Sequence, residues 1–113
     1  MVGNRSLLGR ALRNLLENAD RYARDEVRLR LERDGGAVLV HVDDDGPGVP
    51  EEQRVAVFSR FSRIDESRQR DEGGTGLGLA IVDEIVKLHG GTVHCDDSPL
   101  GGARFTITLP PFS

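Results

Sequence analysis

The sequence predicts one α/β domain in which helices pack on one face of a mixed β-sheet. Two segments repeat apolar residues every three or four positions, and four segments alternate apolar with polar residues. These segments follow one another in the order helix, hairpin, short helix, loop, helix, hairpin, and a two-layer sandwich is the economical packing for that order. A chain of 113 residues has room for one domain, so we assign residues 1–113 to it.

The first half of the chain is predicted to be an amphipathic helix followed by a β-hairpin. Its apolar residues first have helical spacing and then alternate, and the turn residues Asp34-Gly35-Gly36 separate the two alternating runs. Asp44–Pro50 is rich in Gly, Pro and Asp, which predicts a loop, and a short helix is expected from there through Phe58. The predicted bounds are Arg5–Arg24 for the helix and Glu26–Glu32 and Ala37–Val42 for the strands.

The second half is predicted to begin with a polar loop and to end with another helix and hairpin. Ser62–Gly74 is nearly devoid of apolar residues, so we expect a mobile loop there. The helix that follows stops at Gly90-Gly91, a natural left-handed terminator, and the turn Pro99–Gly102 joins the last two strands. The predicted bounds are Gly78–His89 for the helix and Thr92–Cys95 and Ala103–Leu109 for the strands.

Composition excludes several functional classes. Fifteen Lys and Arg against nineteen Asp and Glu give a net charge of −4, which disfavours a surface for nucleic acid or an anionic membrane. One cysteine, Cys95, excludes an internal disulfide and a thiolate zinc site. Neither a secretory signal nor an apolar run of roughly twenty residues is present, so we expect a cytoplasmic domain, any membrane anchor lying outside this chain.

Two patterns in the first half indicate a ligand site. Asn14, Asn18 and Arg21 lie along one edge of the apolar stripe, and asparagine is a poor helix former, so the amides suggest coordination or hydrogen bonding; simple solvation is the alternative. Asp44 continues the inward parity of Val42. If this carboxylate is buried, a ligand donor such as an exocyclic amine would offset the free-energy cost of its burial. The alternative is an acidic turn exposed to solvent, which needs no such donor.

A third pattern is the glycine-rich start of the second helix, Gly73–Leu79. Free backbone N–H groups there can cradle phosphate, although a flexible hinge is the alternative. The segment matches neither the Walker A loop nor the dinucleotide fingerprint. Four arginines lie in or next to the polar loop before it and are candidates for phosphate contacts or simple surface charges: Arg60, Arg63, Arg68 and Arg70.

In this order, the patterns resemble the ATP-binding catalytic domain of bacterial sensor histidine kinases, of the class related to gyrase, Hsp90 and MutL ATPases. The resemblance covers nearly the whole chain. Four boxes carry it: Asn14–Tyr22 is similar to the N box, Asp44–Gly48 to the G1 box, Phe58–Arg63 to the F box and Gly74–Leu79 to the G2 box.

The resemblance implies a Bergerat-type fold with a mostly antiparallel sheet and a site for ATP and Mg²⁺. In it Asn18 would bind the Mg²⁺ and Asn14 would support the same polar cluster. Asp44 would accept a hydrogen bond from the adenine amine. Ile64–Gly74 would form the ATP lid. Catalytic roles fall to Asn18, Arg63 and Arg68, and nucleotide contacts to Asn14, Asn18, Arg21, Tyr22, Asp44, Gly46, Gly48, Arg63, Arg68, Thr75, Gly76, Leu77 and Gly78.

The resemblance also separates phosphotransfer from hydrolysis. Hydrolysing members of the class carry a glutamate four residues before the magnesium asparagine, where this chain has Asn14. The implied reaction is therefore transfer of the γ-phosphate to a histidine on a separate dimerisation domain, which serves a response regulator. His41, His89 and His94 are each predicted to be structural, and the strand that usually precedes the first helix in the family is missing.

Two other functions remain open at this point. One is a stand-alone ATP-binding module akin to the anti-sigma serine kinases, which grip a protein partner and phosphorylate serine. The other is a truncated fragment that serves as an interaction surface. The F box segment and the run from Gly74 to Val82 resemble the histidine kinases more closely.

Overall fold

The described part of the chain forms a four-stranded sheet with two α-helices on one face. The structure, a computed structural model, describes residues 5–59 and 78–111. In chain order the elements are α1 (Arg5–Tyr22), β1 (Val27–Asp34), β2 (Ala37–Asp44), two short 3₁₀ turns (Glu51–Gln53 and Ala56–Phe58), α2 (Gly78–Leu88), β3 (Thr92–Asp97) and β4 (Ala103–Leu109). The predicted helices and strands are confirmed with shifts of up to two residues at their ends.

The strand order is β1-β2-β4-β3, and every pairing among the described residues is antiparallel. The mixed character expected of the sheet is therefore not found in this part of the chain. Because β2 and β4 are neighbours, Asp43 pairs with Arg104, and the end of β2 lies beside the turn that leads into β4. This pairing brings residues about sixty positions apart to one end of the sheet.

The core lies between the helices and the inner sheet face. Leu15 of α1 and Val82 of α2 are fully enclosed, and they pack in one cluster with Val42 and Phe105 from the two central strands. Full burial of side chains of this size contributes about 1.5 to 3 kcal/mol each. The helical period of the apolar residues thus places one stripe of each helix against the sheet.

The short helix predicted through Phe58 is confirmed only in part. Two separate 3₁₀ turns occupy this segment, and Phe58 packs edge-on against Phe105 with ring centroids 6.0 Å apart. Its apolar residues are too few for an α-helical stripe: Val57 is buried, while Val55 stays exposed. The segment is held by this aromatic contact and by Arg54, whose guanidinium donates to the Val49 carbonyl at 3.0 Å.

The outer sheet face carries polar pairs that are buried despite facing away from the helices. Asp43 is 1% exposed and accepts two hydrogen bonds from the Arg104 guanidinium, at 2.8 and 3.1 Å. In the neighbouring row, His41 lies 2.9 Å from Thr106 Oγ1 and 3.0 Å from Glu32 Oε1. These contacts hold β1, β2 and β4 in register on the side that has no helix.

Strand β1 forms an edge of the sheet among the described residues. Its apolar residues alternate as predicted, yet Leu29 and Leu31 are 47% and 69% exposed because the helices cover the central strands. Within the ranges that the structure describes, no helix is both long and apolar enough to cross a lipid bilayer.

Candidate functional site

The centre of the candidate site is the Asp44 side chain at the end of β2. It lies on the inner sheet face with Val42, as the strand parity predicts, and is 3% exposed. Its Oδ1 accepts hydrogen bonds from the backbone N–H groups of Gly46, at 2.9 Å, and Ala103, at 3.2 Å. Among the described residues no donor reaches Oδ2, so this oxygen can accept a hydrogen bond from a ligand.

Two glycines let the backbone close around this carboxylate. A Cβ added to Gly102 would overlap Asp44 Oδ1 and would lie 2.6 Å from the Gly46 nitrogen, and one added to Gly46 would overlap the Tyr22 carbonyl oxygen. The Gly102 N–H also donates to the Asp44 carbonyl at 3.1 Å. Gly48 has a φ of 75°, which favours glycine, and completes the turn next to Gly102. Among the residues that the structure describes, the Asp44 carboxylate is thus oriented by backbone N–H groups.

The polar edge of α1 lies beside this turn. Asn14, Asn18 and Tyr22 are half-buried, and Arg21 is exposed. The Asn14 amide donates to the carbonyl of Gly78, the first residue of α2, over 3.5 Å, a long hydrogen bond. This hydrogen bond, the one described for the Asn14 side chain, joins the two helices, and the predicted role of Asn14 in the polar cluster of Asn18 stays a prediction.

The amide of Asn18 has no hydrogen-bond partner among the described residues, although the side chain is half-buried. Its amide oxygen is therefore a candidate metal or ligand contact. The ranges 5–59 and 78–111 contain no group of three or more His, Cys, Asp or Glu residues that could hold a metal ion. A metal here would need most of its ligands from a bound molecule and water.

A contact that the sequence does not reveal joins the end of α1 to the turn after β2. The Asp45 carboxylate accepts from the backbone N–H groups of Arg24, at 2.7 Å, and Asp25, at 3.0 and 3.1 Å. These backbone hydrogen bonds, led by the one from Asp25, hold the pKa of Asp45 below its ordinary value. Strand parity alone suggests only that Asp45 points outward, with no sign of a partner twenty residues away.

The structure brings one group of the predicted site residues together at one end of the domain. Asp44, Gly46 and Gly48 form the turn after β2; Tyr22 contacts it through its carbonyl, and Asn14 reaches Gly78. Asn18 and Arg21 lie on the neighbouring edge of α1. Most of the F box, the whole lid and most of the G2 box lie outside the described ranges, and with them the remaining predicted site residues: Arg63, Arg68, Thr75, Gly76 and Leu77.

This arrangement suits a flat heterocycle that carries an amino group. Asp44 Oδ2 has no described donor, so it can accept a hydrogen bond from an N–H group of a ligand. Polar groups of α1 then face whatever extends from the ring.

Comparison with known proteins gives one consistent picture. A family model described as histidine kinase-, DNA gyrase B-, and HSP90-like ATPase matches residues 3–112. The sensor histidine kinase CpxA of Escherichia coli K12 is 46% identical over 110 residues, which are 97% of this chain and 24% of that protein. The chain thus spans about a quarter of the length of such relatives.

Two solved structures have the same fold. The mycobacterial sensor histidine kinase MprB superposes with a TM-score of 0.82 and 36% identity, over 99% of this chain and 76% of that one. The full-length structure of ShkA in complex with AMPPNP gives a TM-score of 0.77 and 34% identity, over 92% of this chain and 21% of that one.

Proposed function

This chain belongs to the family of histidine kinase-, DNA gyrase B- and HSP90-like ATPases, and we propose that it is the catalytic domain of a sensor histidine kinase, which binds Mg·ATP and donates the γ-phosphate to a histidine on another domain. The chain spans 24% of the length of CpxA, so such a kinase has further domains to supply the acceptor. Residues 1–113 would be its single ATP-binding unit.

The observation that carries the proposal is the buried Asp44 carboxylate with one oxygen left over. Its Oδ1 is held by two backbone N–H groups, while no described donor reaches Oδ2. The exocyclic amine of adenine is a donor of the right kind, and guanine presents an acceptor at the same ring position. A buried acceptor therefore favours ATP over GTP. The ShkA complex with AMPPNP, an ATP analogue, supports a nucleotide in this fold.

The phosphates would extend along the polar edge of α1, where Asn18 and Arg21 lie. Asn18 fits Mg²⁺ as one protein ligand, because Mg²⁺ usually keeps several waters and takes phosphate oxygens as other ligands. When bound, the ion would neutralise phosphate charge. The exposed Arg21 guanidinium adds charge on the same edge, and Arg63 and Arg68 are proposed to add more from the segment before α2.

Two features favour transfer to a protein over hydrolysis. Asn14 replaces the glutamate that acts as general base in hydrolysing members, and its neutral amide cannot take a proton from water. The chain also presents no histidine to the site: His41 and His89 are buried, and His94 is on the outer sheet face. The acceptor must then come from a partner, which we propose is a dimerisation domain that passes the phosphoryl group to a response regulator.

Labelling with γ-phosphate-labelled ATP and Mg²⁺ tests the transfer. The chain alone should bind ATP but incorporate no label. With a recombinant histidine-bearing dimerisation domain added, acid-labile and base-stable label should appear on that domain, and a histidine-to-glutamine variant of it should stay unlabelled. Acid-stable label on serine would favour a serine kinase instead. Binding without labelling of either domain would contradict the transfer.

A further inference from the structure

We propose that Asp45 is a positioning residue for nucleotide binding: it ties the loop after α1 to the turn after β2 and so fixes the end of α1 against the buried Asp44 carboxylate. This inference rests on the proposed ATP site. Within residues 5–59 and 78–111, Asp45 has no hydrogen bond to a group assigned to the nucleotide.

The hydrogen bonds from the Arg24 and Asp25 N–H groups to the Asp45 carboxylate are called the Asp45 clamp below. One Asp45 oxygen, Oδ1, accepts from the N–H groups of both Arg24 and Asp25, and Oδ2 accepts a second time from Asp25. The two donors lie two and three residues after Tyr22, the last residue of α1. Asp45 follows directly after β2 and lies between Asp44 and Gly46. The clamp therefore spans the two segments that would carry the base contacts.

The clamp acts next to a point where the two segments already touch. The Gly46 backbone lies so close to the Tyr22 carbonyl that a Cβ on Gly46 would overlap that oxygen. This contact is steric and can hold the segments apart but not together. The charged hydrogen bonds of Asp45 supply the attraction, since an ionised acceptor makes stronger bonds than a neutral one. Without them Tyr22 can move away from Asp44.

The geometry distinguishes the roles of the two Asp45 oxygens. Because Oδ1 alone reaches both N–H groups, an asparagine can keep both hydrogen bonds through its amide oxygen. An alanine loses them, but Arg24 and Asp25 are exposed, so water can satisfy their N–H groups and the fold should persist. Asp45→Asn and Asp45→Ala therefore separate the hydrogen bonds from the charge.

The test is the affinity of the full chain for ATP and for GTP, with excess Mg²⁺, by isothermal titration calorimetry. Asp45→Ala should raise the Kd for ATP about tenfold, the effect of losing a charged hydrogen-bond pair. It should change the Kd for GTP less, because guanine presents a carbonyl oxygen at the ring position where adenine presents the amine to Asp44. Asp45→Asn should raise the Kd for ATP by a smaller factor, because it keeps the hydrogen bonds to Oδ1 but loses the charge and the second contact with Asp25. Asp34→Ala, an exposed aspartate at the far end of β1, is the matched control.

The ratio of ATP to GTP affinity separates positioning from general stability, because partial unfolding lowers both affinities equally. An unchanged ratio, or equal losses in Asp45→Ala and Asp45→Asn, would overturn the positioning role. If the wild type bound no ATP, the proposed function itself would fail.

Hydrogen exchange keeps the test valid if Asp45→Ala does not fold. The Arg24 and Asp25 amides of the wild type should be protected although their residues are exposed, and ATP should increase that protection. Exchange at the rate of an open loop would overturn the clamp.

Discussion

At the scale of single residues, the candidate site depends on backbone that fits tightly around one carboxylate. Asp44 is held by two N–H groups rather than by a cationic side chain, so its second oxygen stays open for a ligand donor. This arrangement requires residues without side chains at the points of closest approach. Gly102 is such a point, because three atoms of Asp44 and Gly46 lie within 2.6 Å of the position that its Cβ would occupy.

Gly102→Ala should therefore lower both stability and ATP affinity. Overpacking at a buried position costs about 1 to 3 kcal/mol, and the displaced atom is the Asp44 oxygen that orients the carboxylate. Chemical denaturation and ATP titration measure the two effects. Gly9→Ala is the matched control: its Cβ meets nothing within 4 Å, and in an exposed helix it should raise stability by about 1 kcal/mol. Equal behaviour of the two variants would contradict the close fit at Gly102.

How far the sequence predicts the site also depends on the residue. Alternation along β2 is a local property, so it correctly gives the inward direction of Asp44. The bond from Asn14 to Gly78 and the clamp at Asp45 link segments 64 and about 20 positions apart, and no local pattern encodes such contacts. The roles of Asn18 and Arg21 as ligand contacts are not tested by the fold and stay predictions.

At the scale of elements, strands β2 and β4 hold the site together. Arg104 of β4 clamps Asp43 of β2 with two hydrogen bonds, one residue away from Asp44. The hydrogen bond to Asp43 raises the pKa of the Arg104 guanidinium, so this guanidinium stays charged over the ordinary pH range. The outer face of the sheet thereby fixes the strand end whose inner face carries the site.

Arg104→Leu should cost about 3 kcal/mol in the free energy of unfolding, because it leaves Asp43 buried, charged and unpaired. The double variant Asp43→Leu with Arg104→Leu should recover most of that loss, since no charge remains buried. Urea denaturation of the wild type, both single variants and the double variant measures the coupling. Additive effects of the two single changes would mean that the pair contributes nothing beyond its separate side chains.

Sequence patterns predict the elements well where an apolar stripe repeats and poorly where it does not. Leu15 and Val82 belong to such stripes, and both helices are confirmed. The segment through Phe58 has one buried residue per turn at most, too little to distinguish an α-helix from 3₁₀ turns. Leu29 and Leu31 show a further limit: alternation predicts a strand, but not whether helices cover it.

At the scale of the whole molecule, the sheet order brings the candidate site together from distant parts of the chain. α1 contributes the polar edge, β2 the carboxylate, and the turn before β4 the backbone that orients it. Each of these three parts alone has a simple structural explanation. A nucleotide site is indicated because all three lie together at one end of the sheet. A ligand that bridges these parts should stabilise the entire fold, because it binds the folded state alone.

Thermal unfolding with and without Mg·ATP tests this account most directly, in the wild type and in Asp44→Asn. At a ligand concentration 100-fold above Kd, binding adds about 2.7 kcal/mol, and each kcal/mol moves Tm by about 4 °C or more for a domain of this size. We expect a shift of about 10 °C in the wild type and little in Asp44→Asn, whose amide can present a donor to the adenine amine. The same shift in both proteins, or none in the wild type, would contradict an ATP site built on Asp44.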